Sequence, residues 1–393
     1  MIRFSRRLVM SGVACGAGGL FASTAALAGD GRAAGYAVSP SADFLPLIPR
    51  RAGDPVAFTA SLDRAALKAT SGGWAREITT RQLPLATGIA GAHLFLNPGG
   101  IREMHWHNSA EWAYILAGQC QVTVADPAGG FEVANYGPGD LWYFPTGHAH
   151  AIQALGGEPC HAILAFNDGL YSEHGTFGLS DLLSRLDTAT LSQGLGVPAD
   201  ALDGIPRGEV YIRQGEVIAA EDREANAARP LDRARTHRHA LGAARPLFEG
   251  PGGAIRVASS REFPLCADMT GVVTRLRPGA LHAPHWHPNA NEWFYVSRGQ
   301  VRATMFAADK RLATAELSAG DCAYTPANCA HLLRNTGTDE CEIVAALDSG
   351  SYLEGSVSAW MADAPLHTLA NNLGLSEAAL ARFGDERIVI AAP

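Results

Sequence analysis

The chain has 393 residues, of which 47% are hydrophobic and 18% charged, and a formal net charge of −8. This length accommodates two domains with cores of their own, and the acidic balance argues against nucleic acid or an anionic membrane as a partner. The 43 glycines and 22 prolines indicate many turns and favour a β-rich fold.

Residues 1–28 are predicted to be an export signal peptide. Arg6-Arg7 precedes an apolar run rich in glycine and alanine, and Ala26-Leu27-Ala28 has the small residues of a cleavage site. The adjacent arginines resemble a twin-arginine signal, so we expect a periplasmic or secreted protein; a generic secretory signal and a retained anchor are the alternatives. No other run is long enough to span a membrane, so no membrane partner is expected once the signal is removed.

After an N-terminal arm over 29–60, the chain contains two β-rich segments, 61–177 and 245–355. Both consist of short, turn-bounded runs of alternating hydrophobicity. Each is followed by a segment with a helical pattern, a linker over 178–244 and a C-terminal segment over 356–393. A mainly all-β fold of two tandem barrels with helical appendages is predicted. The six cysteines beyond residue 28 form no CxxC pair and are predicted to be small buried strand residues.

The two β-rich segments repeat one pattern of three histidines and one glutamate. The candidate metal ligands are His105, His107, Glu111 and His150 in the first copy, and His285, His287, Glu292 and His331 in the second. The offset is 180 positions for the two leading histidines of each set and 181 for the glutamate and the last histidine. A repeat of this regularity indicates duplicated domains, each with its own metal site.

Alternate residues of a strand point to the same face, so His105 and His107 can share one ion. Imidazole with carboxylate suits Fe or Mn, and also Zn, Ni and Cu. His148 also lies near the first site, but the repeat assigns the ligand role to His150, because the equivalent position is His331. We therefore expect His148 to be a neighbour of the site.

The paired motifs resemble the cupin superfamily, and most closely the bicupin oxalate decarboxylases over residues 40–385. The matching stretches include Gly100 to His107, Gly139 to Pro145 and His285 to Asn289. The resemblance implies two cupin β-sandwich barrels (the double-stranded β-helix or jelly roll), one Mn in each, and a homo-oligomer, a trimer or hexamer. It also implies conversion of oxalate, a small anionic substrate, to formate and carbon dioxide, with dioxygen as co-catalyst.

Two further features point to the first site as the place of chemistry. Arg102 lies three residues before His105, where a guanidinium can pair with a carboxylate substrate. The segment Ser172-Glu173-His174-Gly175-Thr176 resembles the lid of the family, in which the glutamate transfers a proton. This sequence has His174-Gly175 where the family has Asn-Ser, and the lid there governs the balance between decarboxylation and oxidation.

The second site departs further from the family. His282 stands at the position of Arg102, and the acidic residue that the family places on a later strand aligns with Ala345. We therefore expect a second metal site without a substrate clamp or proton donor. Trp106 and Trp286 match family tryptophans proposed to pass electrons between subunits; aromatic packing is the alternative. Alternatives for the whole chain are an oxalate oxidase, a bicupin acting on another small carboxylate, and a periplasmic metal-binding protein with little turnover.

Overall fold

The computed structural model describes residues 57–171, 175–206, 208–227, 231–232, 234–308 and 311–393. The predicted signal peptide, most of the arm and three lid residues, Ser172, Glu173 and His174, lie outside the described residues. No helix in the described part of the chain is long and apolar enough to cross a membrane. The six cysteines beyond residue 28 are buried, as predicted. Four of them lie on strands, but Cys266 and Cys329 lie in connections between strands, so the prediction of a strand position is wrong for these two.

Short strands make up most of both copies. The strands of the first copy and its N-terminal extension are β1 Thr59–Ser61, β2 Leu67–Thr70, β3 Gly73–Ile78, β4 Ala90–Leu96, β5 Gly100–His107, β6 Glu111–Ala117, β7 Gln119–Ala125, β8 Phe131–Tyr136, β9 Leu141–Phe144, β10 Ala149–Leu155, β11 Cys160–Phe166 and β12 Thr176–Gly178. The connecting segment holds helices α1 Leu179–Arg185, α2 Thr188–Leu195 and α3 Ala220–Ala227, and strands β13 Ile212–Gln214 and β14 Arg238–His239. The strands of the second copy are β15 Phe248–Gly250, β16 Gly253–Ala258, β17 Thr270–Leu276, β18 Leu281–Trp286, β19 Glu292–Arg298, β20 Gln300–Phe306, β21 Leu312–Ser318, β22 Asp321–Thr325, β23 Ala330–Asn335, β24 Cys341–Leu347 and β25 Gly355–Ser356. Helices α4 Val357–Asp363, α5 Leu366–Leu373 and α6 Glu377–Leu380 and strand β26 Ile390–Ala391 complete the chain.

Each copy is a sandwich of two sheets. In the first copy the sheet orders are β14-β9-β6-β11-β4-β3-β2 and β12-β5-β10-β7-β8, with β13 also paired to β5. In the second they are β1-β22-β19-β24-β17-β16-β15 and β21-β20-β23-β18-β25, with β26 also paired to β18. The prediction of a mainly β fold with two tandem barrels is confirmed.

The two copies exchange short strands. β1 precedes the first barrel but pairs with β22 of the second, Ala60 lying opposite Cys322. Conversely, β14 precedes the second barrel but pairs with β9 of the first, Arg238 lying opposite Trp142. The segment expected to be helical therefore also contributes strands, because its backbone completes sheet edges that are distant in sequence.

The core lies inside each barrel and continues between the barrels. Along β6, Ala113 and Ile115 face the interior of the first barrel, whereas Trp112 and Tyr114 join the cluster shared with the second copy. Because side chains alternate between the two faces of a strand, both faces of β6 are buried. This packing fixes the sheet that supplies Glu111 to the candidate site.

Candidate metal centres

The first candidate site lies between neighbouring strands of one barrel. β5 carries His105 and His107, β6 begins with Glu111, and β10 places His150 opposite His105. All four side chains are at most 3% exposed, and their ligand atoms lie within 4.8 Å of one another. Glu111 Oε2 is 3.0 Å from His107 Nε2 and 3.5 Å from His150 Nε2. The structure therefore brings together the four ligands predicted from the repeat.

Backbone carbonyls orient the three imidazoles. Nδ1 of His105, His107 and His150 donates to the carbonyl oxygens of Glu103, Ser109 and His148, at 2.6, 2.7 and 2.8 Å. A proton held on Nδ1 leaves the lone pair on Nε2, which points to the other ligands. This arrangement sets the tautomer that metal coordination requires before an ion binds.

The second copy repeats the ligand set on β18, β19 and β23. The ligand atoms of His285, His287, Glu292 and His331 also lie within 4.8 Å of one another and are buried. His331 lies opposite His285, as His150 lies opposite His105. The Nδ1 atoms again donate to carbonyl oxygens, those of Ala283, Leu353 and Cys329.

The electrostatics of both sites fit a bound cation. Burial lowers the pKa of His105 and His285 well below the usual 6.5, with further lowering by Arg102 and His282, respectively. Burial opposes ionisation of Glu111, but His107 and His150 hold its pKa well below the usual range. Nε2 of His150 and of His331 make no well-aligned hydrogen bond among the described residues, although Glu111 Oε2 and Glu292 Oε2 lie 3.5 and 2.9 Å away. The lowered pKa values of His105 and His285, together with the carboxylates of Glu111 and Glu292 among buried imidazoles, suit a divalent ion.

Arg102 lies beside the first site in a cavity. The cavity has a volume of about 180 Å³ and is lined by Arg102, His105 and Glu111, by apolar side chains, and by the charged Lys68, Arg76 and Glu77. Arg102 is 5% exposed, its Nη1 donates to the carbonyl oxygen of Tyr211 at 3.2 Å, and its Cζ is 4.2 Å from the Tyr211 ring centre. The guanidinium is therefore held in place next to the ligand His105.

Sequence reasoning missed three residues that support this site. Trp142 Nε1 donates to Glu111 Oε1 at 2.8 Å. Glu103 accepts from the backbone N–H of Tyr211 at 2.9 Å and of Ser180 at 3.0 Å, and so holds the connecting segment on β5. Tyr211 has a φ of 60°, which is unusual for a residue other than glycine. No local pattern pairs these residues, since each contact joins segments distant in sequence.

The neighbourhood of the second site differs from the sequence expectation. Ala345 is a buried strand residue without a titratable group, as aligned. A different acid, Glu354, reaches the site, and ligand atoms of His282, His285 and Glu354 lie within 4.8 Å of one another. Burial would raise the pKa of Glu354, but His282 and the hydroxyl of Tyr352 lower it to about 2. Glu354 is an acid that the sequence analysis did not anticipate, whereas the expectation of a second site without a substrate clamp or proton donor stays a prediction.

The other residues singled out from the sequence lie near the ligands but are not part of the ligand sets. His148 is outside the ligand set, and its Nδ1 is 3.0 Å from Nε2 of the buried His237. Trp106 stacks on Phe177, with ring centres 5.6 Å apart. Trp286 meets Trp360 edge to face at 6.5 Å, and Trp360 is 70% exposed. Both tryptophans of the ligand strands therefore pack against aromatic residues near the surface.

The described residues on either side of the lid lie next to the first site. The Tyr171 ring packs edge to face against His107, with centres 5.8 Å apart. Thr176 lies opposite His107 in the β12–β5 pair, and the Tyr171 hydroxyl is 3.3 Å from Thr176 Oγ1. The predicted lid is therefore anchored at both ends to the ligand strand.

Comparisons with known proteins agree with this architecture. The cupin family model matches residues 61–200 and 239–380. Oxalate decarboxylase OxdC of Bacillus subtilis is 35% identical over 75% of this chain and 76% of its own. A probable oxalate decarboxylase of Arthroderma benhamiae is 34% identical over 75% of this chain and 73% of its own. A solved structure of the Bacillus subtilis enzyme, from work on its Mn(II) centres, superposes with a TM-score of 0.81 at 30% identity, over 88% of this chain and 91% of that one. Two cupin domains with a ligand set in each, together with these relatives, show that the chain belongs to the bicupin oxalate decarboxylase family.

Proposed function

We propose that this chain converts oxalate to formate and carbon dioxide at the first site, with manganese in both sites and dioxygen as co-catalyst. The single observation that carries the proposal is the buried Arg102 beside the first of two equivalent ligand sets. The relatives named above are called oxalate decarboxylases, and the Bacillus subtilis structure concerns Mn(II) centres.

Substrate binding follows from the charge and shape of the cavity. Oxalate is a small anion, and a guanidinium makes strong paired hydrogen bonds to a carboxylate. Arg102 is directed by the Tyr211 carbonyl and supplies that cation next to His105. A metal ion bound by the four ligands would supply Lewis acidity and one-electron chemistry.

The remaining chain contributes proton transfer and protection from water. We assign Glu173 to take the proton of bound oxalate monoanion and to deliver a proton to the carbon left after carbon dioxide departs. Formate and carbon dioxide then account for all atoms of the substrate. Leu94, Ile152 and Phe166 line the cavity and limit the water that would intercept a reactive intermediate.

Product identification tests the proposal against its alternatives. Metal-replete protein is incubated with oxalate in air, and formate and hydrogen peroxide are both measured. Formate equal to the oxalate consumed is expected. Peroxide in place of formate would establish the oxidase; the altered His174-Gly175 pair of the lid bears on this balance, and the retained Glu173 favours formate. If neither formate nor peroxide is formed, two alternatives remain: a metal-binding protein with little turnover, or an enzyme that acts on another small carboxylate.

Export and assembly are part of the same proposal. We propose twin-arginine export, because folding around the ion before export would protect manganese from replacement by tighter-binding zinc or copper. Zinc in both sites of fully active exported protein would refute this link.

We also propose a homo-oligomer, a trimer or hexamer, with Trp106 and Trp286 passing electrons across subunits. The exposure of Trp360, which packs against Trp286, supports this, and light scattering measures the assembly.

A further inference from the structure

The second site contains a buried imidazole that the proposed reaction does not use. His282 lies three residues before His285, as Arg102 lies three before His105. Its ring stacks on His285 with centres 3.9 Å apart, and it is 4% exposed. Neither of its ring nitrogens has a hydrogen-bond partner among the described residues. Two buried nitrogens without a partner require a compensating group nearby.

A carboxylate stands opposite that imidazole. The Glu354 side chain is 6% exposed, and its Oε2 is 3.9 Å from His282 Nε2. The Tyr352 hydroxyl donates to Oε2 at 2.6 Å, and Arg387 Nη2 donates to Oε1 at 3.4 Å. Glu354 is therefore fixed by two contacts and lies close to His285, a member of the ligand set.

The repeat relates this carboxylate to the first copy. Tyr352 and Glu354 follow Tyr171 and Glu173 by 181 positions, and the rings of Tyr171 and Tyr352 both contact the second histidine of their own HWH triplet. The first site thus has a fixed cation, Arg102, where the second has His282. The second site in turn has a fixed anion beside its ligands. Among the described residues, the first site therefore has a fixed cation next to its first ligand histidine, and the second has a fixed anion next to its own.

We propose that Glu354 is a resident carboxylate of the second metal site, standing where an anionic substrate would bind, so that this site keeps its ion and excludes oxalate. A fixed carboxylate repels an anion at short range and already supplies the negative charge that the ion attracts. Only the choice of oxalate as the excluded anion rests on the proposed function. Specificity for the first site then comes from Glu354 as well as from Arg102.

The position of Glu354 is tested by electron paramagnetic resonance of manganese(II)-loaded protein without substrate. Glu354→Gln is expected to change the spectrum of one of two manganese ions, because the charge beside that ion is lost. The control Glu316→Gln removes an exposed carboxylate that pairs with Arg302, and should leave both ions unchanged. Identical spectra for Glu354→Gln and wild type would overturn the proposal. A Glu354→Gln protein that binds one manganese per chain would support it, since Glu354 would then help to hold the ion.

Exclusion is tested by calorimetric titration with oxalate under anaerobic conditions. Wild-type protein with two manganese ions should bind one oxalate per chain, and Glu354→Gln should bind two. Two oxalates per wild-type chain, or one per Glu354→Gln chain with both ions present, would overturn exclusion. Failure of the proposed function is distinguishable from failure of this proposal. If the chain does not act on oxalate, neither formate release nor oxalate binding is observed, but the manganese(II) resonance spectrum still reports on Glu354.

Discussion

Individual side chains near the ligands differ between the two sites although the ligands themselves match. Trp142 donates to the Glu111 carboxylate, whereas the equivalent position in the second copy is Ala323. Outer hydrogen bonds of this kind orient a ligand and strengthen metal binding. The first site therefore has a support that the second lacks.

Trp142→Phe should weaken metal binding at the first site alone. A smaller aromatic ring still occupies the core, but the hydrogen bond to Glu111 is lost, so the affinity should fall by about 10–100-fold. Chelator competition followed by metal analysis measures the loss, and the second site serves as the reference within the same chain. Equal weakening of both sites would contradict this role.

Arg102→Ala should reduce oxalate binding far more than His282→Ala. A buried charged hydrogen bond contributes about 1.5–3 kcal/mol, which corresponds to roughly a 10–100-fold rise in KM. His282→Ala should leave KM within about twofold of wild type, because the second site does not take the substrate. Steady-state kinetics of formate release compare the two variants. Equal increases in KM would count against the first site as the place of binding.

At the scale of elements, the lid and the connecting segment both attach to β5. Glu173→Ala should abolish formate while both metal ions remain bound, because a proton-transfer group is lost and no ligand is touched. Formate release and metal content are measured together, with the exposed Glu158→Ala as the matched control. An undiminished rate of formate release would refute the assigned role.

Glu103→Ala should loosen the connecting segment and disturb Arg102 with it. The Glu103 carboxylate is 8% exposed and accepts backbone N–H groups of Ser180 and Tyr211, whose carbonyl in turn directs Arg102. Leaving these donors unpaired should lower the free energy of unfolding by about 1.5–3 kcal/mol. KM for oxalate should rise as well. Urea unfolding and kinetics check both effects, and the exposed Glu316→Ala should change neither.

The ligand sets could be predicted from sequence because they need only strand geometry and a repeat. His105 and His107 share a face of any strand, and the offset to the second copy singled out His150 over His148. Tyr211, Glu103 and Trp142 could not be found in this way, since their roles depend on strand pairs far apart in sequence. Glu354 was missed because the expected acid was sought at Ala345 on a strand, and it comes instead from the segment after β24.

At the scale of the whole molecule, the two barrels lock together through reciprocal contacts. A Cβ placed on Gly91 would lie 2.0 Å from Trp293 Cζ2, and one on Gly271 would lie 2.7 Å from Trp112 Cζ2. Both indoles are fully buried, and β1 and β14 each cross to the other barrel. The barrels therefore share one core, and we expect them to unfold together in a single transition.

Gly91→Ala should destabilise both barrels through this contact. The added methyl cannot fit beside the Trp293 indole without displacing it, and overpacking of a buried interface costs about 1–3 kcal/mol. Gly157→Ala is the matched control, since a Cβ there meets no atom within 4 Å. Thermal unfolding should give a lower Tm for Gly91→Ala, with the release of both metal ions in the same transition. Equal Tm values for the two variants, or separate release of the two ions, would mean that the barrels are stabilised independently of their Trp–Gly contacts.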